Sequence, residues 1–366
     1  MDNYSKLMAG LPDTYDKRPG LLPADLMKSF SLLLDGLDGK LAGVEAQMDI
    51  NNLAGDQLEQ FVNQRTGLTR NPATYAIGTV TVTGTGVVNT GDIFETKSGI
   101  QYRATQTGTV SGSASIEVKC VLPGMAGNVP AGQVVQIPVT LPGITAVTNS
   151  APMTDGFDAE SDTSLRERYF LVLQTPATSG NVYHYKLWAR EQAGVGDAKV
   201  YPLSFGPGTV EVRIIDQNKG AASPTLVDVV QNFIDPDSEG KGLGQAPIGA
   251  KCTVLSADAK LIDISVSAIK SAGATDSDVL TSIENSVSSY LKSIAFQAAA
   301  ASYAKIGEAI ISAEGVEDYS GLTVNGDIVN VPIGDKETPV RRGDYACIRT
   351  RCFLILTLSA GRINLL

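Results

Sequence analysis

Four carboxylates lie within eight residues of the chain, at Asp155, Asp158, Glu160 and Asp162. Clustered carboxylates can bind calcium, and a pair of them can act as general acid and base. An EF-hand calcium loop places oxygen ligands at alternating positions around a central glycine and ends on a glutamate. Here Gly156 directly follows the first aspartate, so that register is lost.

The same carboxylates can instead begin a helix. Asp162 can cap it, and Ser164 and Glu167 have the spacing of a capping box. Acidic side chains at this end interact favourably with the helix dipole, and Arg166 or Arg168 can pair with them. The stretch therefore favours capping and ion pairs over metal binding, and we expect no metal site.

Other catalytic groups are scarce. His184 is the only histidine, which excludes a multi-histidine metal site and leaves one base for a Ser-His-Asp triad. Its place beside Tyr183 and Tyr185 favours an ordinary helix residue. The glycine-rich stretch 239–249, EGKGLGQAPIG, lacks the spacing of a phosphate-binding loop and is expected to be a surface loop. We predict no catalytic residue and no cofactor, and hence no enzyme.

The charge and composition of the chain disfavour some classes of binding partner. The 366 residues carry 29 basic and 39 acidic side chains, a net charge of −10, which disfavours nucleic acid and anionic membranes as partners. No apolar run approaches the roughly 20 residues of a membrane-spanning helix, and the amino terminus lacks a signal-peptide pattern. We expect a protein that matures in a cytoplasm. Its scattered cysteines are expected to be reduced and mostly buried: Cys120, Cys252, Cys347 and Cys352.

Residues 1–70 are expected to form a helical arm. Apolar residues recur there in alternating steps of three and four, the spacing of a coiled-coil seam. A helix with such a seam needs a partner, so we predict a bundle interface. Its residues are Met27, Phe30, Leu34, Leu37, Leu41, Val44 and Met48.

Three glycines, Gly36, Gly39 and Gly43, lie on the opposite side of this helix. Each costs about 0.5–1 kcal/mol relative to alanine within a helix. Two interpretations stay open. A second neighbouring backbone can approach the glycines closely, or the segment DGLDGKLAG divides the region into two shorter helices.

The rest of the chain predicts an α+β multidomain protein, in which an all-β module and two small α/β sandwich domains follow the helical arm. Residues 71–152 alternate β-branched and polar residues between turns, which is typical of a compact β module. Residues 153–258 and 259–340 each combine strands with helices. Residues 341–366 match no pattern, and two alternatives remain: a strand added to a neighbour's sheet, or an ordinary last strand.

The loop GMAGNVPAG is expected to connect the β module to the α/β part through tight turns. Gly124, Gly127 and Gly132 would supply backbone freedom, Asn128 tolerates left-handed geometry, and Pro130 stiffens the exit. The loop and the acidic helix start together form a predicted structural motif. Its members are Gly124, Gly127, Asn128, Pro130, Gly132, Asp158, Glu160, Asp162, Leu165, Arg166 and Arg168.

Several segments, in this order, resemble one family. They are TGLTRNPATYAIGTVTVTG, GDIFETKSGIQYRATQTG, GMAGNVPAGQVVQIPVTLPGITAVTN and DGFDAESDTSLRERY, followed by YKLWAREQAGVGDAKVYP and GPGTVEVRIID. They are similar to the baseplate J-like family of phage and phage-derived tail machines. The resemblance extends from about Leu21 to Gly334.

This resemblance implies a structural baseplate wedge subunit with no catalytic residues to carry over. Such a subunit would assemble in the bacterial cytoplasm and lie in the tail baseplate, in a ring around the central hub. The implied partners are copies of itself, other wedge subunits, a tail hub, tube or sheath-initiating protein, and fibre or receptor-binding components. A receptor- or glycan-binding tail module is the main alternative, and a tail-associated hydrolase is a weaker one.

Overall fold

The computed structural model describes residues 2–175 and 178–342, together with the backbone of residues 356–359 and 362–365. The chain divides into two compact units, Met1–Thr69 and Arg70–Leu366. The first unit contains helices, and the second contains all the sheets together with five further helices within the described residues.

Three helices form the first unit: α1 (Asn3–Gly10), α2 (Leu22–Met48) and α3 (Gly55–Thr66). The proline Pro23 lies in the first turn of α2, where its missing N–H costs nothing. α2 continues without a break through its three glycines, so the alternative of two shorter helices is wrong. With 27 residues, it is roughly 40 Å long.

Helix α1 packs against α2. The side-chain amide of Asn3 donates to Asp35 Oδ1 at 2.9 Å and to Asp38 Oδ2 at 2.6 Å. Ala24 and Ser31 are the only buried residues of α2. One side of α2 is thus held by α1, and the rest of the helix surface lies open within this unit.

The second unit begins with a six-stranded antiparallel sheet. Its strands are β1 (Ile77–Val88), β2 (Ile93–Thr96), β3 (Gln101–Ala104), β4 (Gly108–Cys120), β5 (Val134–Gln136) and β6 (Ile144–Thr148). They follow the order β5-β2-β3-β4-β1-β6, and β1 and β4 pair along their whole length. Alternate residues such as Val80, Val82 and Val118 fill one core, as the period of a half-buried strand requires.

The two edges of this sheet meet at Asn149. Its Oδ1 accepts from the backbone N–H of Val134, at the start of β5, at 2.9 Å. Its amide group donates to the carbonyls of Pro130 and Ala151. Asn149 is 1% exposed. One buried amide therefore bridges the edge strands and brings the sheet close to a closed barrel.

A second layer of helices and strands follows: α4 (Asp162–Gln174), α5 (Val182–Arg190), β7 (Val195–Pro202), β8 (Thr209–Asp216), α6 (Pro224–Ile234) and β9 (Lys251–Ser256). β8 is central, antiparallel to β7 and parallel to β9. Trp188 of α5 and Val230 of α6 lie in the same core as Val212 of β8.

Side chains occupy the outer edge of β9. Gln231 donates to the carbonyl of Cys252 and accepts from the N–H of Val254 at 2.7 Å. The carboxylate of Asp235 accepts from the N–H of Cys252 at 2.9 Å. These contacts satisfy backbone groups that an edge strand otherwise leaves unpaired.

The last region contains α7 (Asp276–Ile294), α8 (Tyr303–Ile311) and several small sheets. Its strands are β10 (Asp258–Ile262), β11 (Ile264–Lys270), β12 (Ala300–Ala301), β13 (Val316–Val324), β14 (Val331–Pro332), β15 (Glu337–Arg341), β16 (Leu356–Ser359) and β17 (Arg362–Leu365). One sheet has the order β13-β11-β17-β16. β17 pairs antiparallel with β11 of the same chain, and the two alternatives for residues 341–366 stay predictions.

The architecture is thus mixed α+β with separate cores. The described part of the chain contains no helix long and apolar enough to cross a membrane. Cys120 and Cys252 are buried free thiols, as predicted, whereas Cys347 and Cys352 lie outside the described residues.

Candidate functional site

The predicted seam of α2 is uncovered within its unit. Six of its seven residues are exposed, and Met27 is half-buried. Phe30 is 51% exposed, Leu37 59% and Met48 72%. Leu22, Leu26 and Leu33 extend the same apolar surface and are exposed as well. Continuous apolar strips of this kind are typical of binding surfaces, unlike apolar residues that are exposed singly.

The glycine face of α2 is also open. A Cβ added at Gly36, Gly39 or Gly43 would meet no atom within 4 Å. Within the first unit, no described backbone therefore approaches these glycines closely enough to offset their cost. Leu32, 67% exposed, lies on this face.

In the second unit, the acidic segment runs antiparallel to the residues that precede β1. Backbone hydrogen bonds join Ile77 to Thr154, Thr74 to Phe157, and Asn71 to Glu160. The Glu160 carboxylate also accepts from the N–H of Asn71 at 3.1 Å and from the hydroxyl of Ser164 at 3.0 Å. This pairing places the four carboxylates beside the barrel.

Arg168, nearly two turns into α4, is the buried counterpart of Glu160. Its Nε lies 3.1 Å from Glu160 Oε1, and the two side chains are 2% and 5% exposed. Its Nη1 donates to the side-chain oxygen of Asn71 at 2.7 Å and to the carbonyl of Arg190. Burial lowers the pKa of Arg168, which the Glu160 charge opposes. The predicted ion pair between this arginine and a carboxylate is present. Leu165 is fully buried beside it, and Arg166 is half-buried.

The helix cap differs from the prediction. Ser161, not Asp162, is the N-cap of α4, and its side chain accepts from the N–H of Ser164 at 3.2 Å. Asp162 is the first helical residue, and its carboxylate pairs with Arg70 at 2.6 Å. The capping box of Ser164 and Glu167 is also wrong, because an N-cap must be extended and Ser164 already lies inside the helix. Glu167 pairs with Arg190 instead.

The loop 124–132 contacts the acidic segment at two points. The N–H of Met125 donates to the Asp158 carboxylate at 2.9 Å. The Asn128 side chain donates to the carbonyl of Gly156 at 2.7 Å and accepts from its N–H at 2.9 Å. The two sequence motifs, far apart along the chain, therefore bind each other directly.

The glycines of this loop serve different purposes. Gly124 and Gly132 have φ values of +113° and +78°, which other residues rarely adopt. At Gly127 glycine is required because there is no room for a side chain, and not because of its backbone conformation. A Cβ there would lie 2.8 Å from Ala76 Cβ and 2.9 Å from Cys120 Sγ. Asn128 is extended, at φ −81°, so its expected left-handed geometry is wrong. The Pro130 carbonyl accepts from Asn149.

The carboxylates of the acidic segment contact different neighbours. Asp155 accepts from Ser223, Asp158 from Met125, and Asp162 pairs with Arg70. Within the described residues, no group of three or more histidine, cysteine, aspartate or glutamate side chains could hold a metal ion. The cluster in the sequence thus becomes a set of separate structural contacts.

His184 lies in α5 and packs on Trp188, with ring centroids 4.0 Å apart. Its Nδ1 accepts from the N–H of Gly180 at 3.3 Å, and burial lowers its pKa. These contacts hold the start of the helix. Of the three aromatic residues in the β module, Phe94 and Tyr102 are fully buried and only Tyr75 is exposed, at 38%.

Sequence reasoning missed Asn71 and Arg70, which hold the acidic segment from the other side. Asn71 contacts Glu160, Arg168 and Arg190, and Arg70 contacts Asp162 and the Glu160 carbonyl. The pair Asn71-Pro72 signals an extended turn, but nothing in the sequence indicates its distant partners.

Three family models match successive parts of the chain: the Baseplate J-like protein barrel domain at residues 79–156, the central domain at 177–256 and the C-terminal domain at 262–343. Phage-like element PBSX protein XkdT of Bacillus subtilis (strain 168) is 34% identical over 284 residues, which cover 76% of this chain and 79% of that protein. Baseplate protein gp47 of Escherichia phage Mu is 29% identical over 280 residues, 71% of this chain and 76% of its own.

Among solved structures, one chain of the anti-feeding prophage (AFP) baseplate, determined by cryo-EM with 6-fold symmetrisation, aligns over 92% of this chain and 89% of its own. The TM-score is 0.39 and the identity is 11%. The sequence matches, which follow the order of the barrel, central and last regions described above, show that the chain belongs to the Baseplate J-like family.

Proposed function

We propose that this chain is a structural wedge subunit of a tail baseplate, and that it assembles with its partners through the apolar face of α2. It would form part of a ring around the central hub and link the tube or sheath to fibre or receptor-binding components. The observation that carries this proposal is the exposed seam of α2. Burial of a leucine side chain stabilises a complex by about 1.5–3 kcal/mol, so a strip of seven apolar residues is a strong drive for assembly.

We propose a separate role for each region of the chain. Residues 1–70 are the bundle-forming arm, residues 71–152 the β module, and residues 153–258 and 259–340 two α/β sandwich domains that contact neighbouring subunits. Residues 341–366 remain without an assigned partner. The place of action is the tail baseplate of a phage or phage-like particle, assembled in the bacterial cytoplasm, with neither nucleic acid nor membrane as a partner.

The functional groups support a structural role over catalysis. The carboxylates of the acidic segment are engaged in hydrogen bonds and ion pairs, and His184 is occupied in helix packing. A receptor- or glycan-binding module, the alternative, would expose clustered aromatic residues, whereas two of the three aromatics in the β module are buried.

The test is the double variant Leu34→Asp with Leu37→Asp. Each change replaces an apolar contact by a charge that would be buried without a partner in the bundle. We expect the variant to lose co-purification with the other baseplate subunits while circular dichroism and thermal melting show an intact second unit. Unchanged co-purification would overturn the role of α2.

The matched control is Ser29→Asp with Leu32→Asp, which adds the same charge to the opposite side of α2. It should retain co-purification. Loss in the control as well as in the seam variant would show that the effect is not specific to the seam.

A further inference from the structure

The loop that follows β8, residues 216–220, contacts regions of the second unit that are far apart in sequence. The side-chain amide of Gln217 donates to the carbonyl of Asp158, in the acidic segment, at 3.1 Å. From the last region, the hydroxyl of Thr338 in β15 donates to the carbonyl of Lys219 at 2.8 Å, and Thr338 is fully buried. The loop of the central region is therefore bound both to the segment that follows the β module and to the last region.

The side chain of Asp216 closes this loop. Its Oδ1 accepts from the N–H of Gly220 at 2.7 Å. Backbone hydrogen bonds also join the N–H of Asp216 to the carbonyl of Gly220 and the N–H of Lys219 to the carbonyl of Asp216. Lys219 has a φ of +66°, which residues other than glycine rarely adopt. The closed loop thus depends on the Asp216 carboxyl group to offset an unfavourable backbone conformation.

Charged groups from two other elements act on the Asp216 carboxyl group. Asp155 of the acidic segment repels its negative charge, and Lys292 of α7 attracts it. Val195, which lies opposite Asp216 in β7, is uncharged. Lys219 of the loop itself donates from Nζ to a backbone carbonyl of β7 at 3.0 Å. Ionisation of Asp216 therefore changes the forces that the acidic segment and α7 exert on the loop.

The closed loop favours the neutral form of Asp216. Burial raises the pKa of Asp216 from 3.8 to about 6, and Asp155 adds to this rise, whereas hydrogen bonds from Gly220 and Asn218 and the charge of Lys292 oppose it. In an open loop the carboxyl group is hydrated and regains its ordinary pKa. The closed form therefore binds the proton more tightly, and opening becomes more frequent as the pH rises through 6.

We propose that residues 216–220 form a proton-controlled joint between the central region, the acidic segment and the last region of the chain. With Asp216 neutral, the loop is closed and holds the three regions together. With Asp216 ionised, the loop opens more often, and the last region is freer to move relative to the β module. This inference goes beyond the proposed role of α2 and does not depend on it.

Hydrogen–deuterium exchange of the full chain at about pH 5 and about pH 7.5 tests the joint. After division by the intrinsic exchange rate at each pH, peptides that span residues 216–220 should be about tenfold better protected at the lower pH. Asp216→Asn, which cannot ionise, should abolish this difference. The matched control Asp228→Asn removes an exposed carboxylate of α6 and should retain it. Equal protection of the wild type at both pH values, or an undiminished difference in Asp216→Asn, would overturn the inference.

Two further variants separate the effect of charge from the effect of the hydrogen bond to the last region. Lys292→Met removes an exposed charge that lowers the pKa of Asp216, so the pH at which protection changes should move upward. Thr338→Val removes a hydrogen bond but no charge, so protection should fall about fivefold at both pH values with the same midpoint. An unmoved midpoint in Lys292→Met, or wild-type protection in Thr338→Val, would overturn the joint as described.

Peptides of β1 and β4 show whether the opening is local. A joint in the loop predicts that their protection is the same in the wild type and in Asp216→Asn at each pH. If these barrel peptides change by the same factor as residues 216–220, the chain opens as a whole and the inference is refuted.

Discussion

Arg168 Nε lies 3.1 Å from Glu160 Oε1, and both side chains are almost fully buried. The pair joins the acidic segment to the body of α4, and Asn71 contacts both members from the segment that precedes β1. A buried pair is costly to break because the remaining charge has no water to compensate it.

We predict that Glu160→Gln lowers the free energy of unfolding by about 3–5 kcal/mol, since it removes the ion-pair partner of the buried Arg168 charge. Urea denaturation at neutral pH measures the loss. The control is Glu308→Gln, whose pair with Lys305 is well exposed and should contribute at most about 0.5 kcal/mol. Equal effects of the two variants would contradict the importance of burial.

Gly127→Val is expected to destabilise the chain by about 1–3 kcal/mol through overpacking. The new Cβ would lie under 3 Å from Ala76 and Cys120, inside the barrel core. Thermal melting reports the change. Gly10→Ala, at a site where a Cβ meets open space, should change stability by no more than about 0.5 kcal/mol. A Gly127 variant as stable as the wild type would mean that the loop moves freely away from the barrel.

The roles of Ser161 as helix cap and Asp162 as ion-pair partner can be distinguished by how the stability of their variants depends on salt. Ser161→Ala should cost about 0.5–2 kcal/mol at any ionic strength, because it removes a neutral hydrogen bond. Asp162→Ala removes the ion pair with Arg70, so its cost should shrink as salt is added. Denaturation of both variants in low and high salt distinguishes the two roles, and a salt-independent loss for Asp162→Ala would argue against the pairing.

Asp216 should make stability depend on pH. Burial raises its pKa from 3.8 to about 6, against the hydrogen bonds from Gly220 and Asn218 that lower it. Because the folded-state pKa is the higher one, this group stabilises the fold below about pH 4, and that contribution is lost as the pH rises through 6.

Relative to Asp216→Asn, the wild type should therefore gain up to about 3 kcal/mol between pH 7 and pH 4. Urea denaturation of both proteins across that range gives the difference, in which the shared titration of other carboxylates cancels. A constant difference between the two proteins would refute the raised pKa.

Local patterns predicted much of this fold. The apolar spacing from Met27 to Met48 predicted the α2 seam, and alternation of β-branched residues predicted the barrel strands. Helix α2 nevertheless continues through Gly36, Gly39 and Gly43, because a cost of about 1 kcal/mol per glycine does not end a helix of this length. The helix propensity of glycine shows that each glycine destabilises the helix, but it does not show whether the helix ends there, which depends on all the other residues of the helix.

The contacts that join distant segments could not be predicted. Asn71 reaches Arg168 across 97 positions, and Asn149 joins strands through a single amide. Neither residue belongs to a periodic pattern, and an asparagine before a proline or near a strand end normally indicates only a turn. The shift of the cap from Asp162 to Ser161 has a similar origin, because Arg70 attracts the aspartate from outside the local sequence.

The side chains of Gln231 and Asp235 along β9 also affect how sheets of different molecules can associate. An unpaired strand edge is a template on which a neighbouring sheet can grow, and crowding makes such growth faster. By occupying the N–H and the carbonyl of Cys252 and the N–H of Val254 within the same molecule, these side chains block the addition of a further strand at this part of the edge.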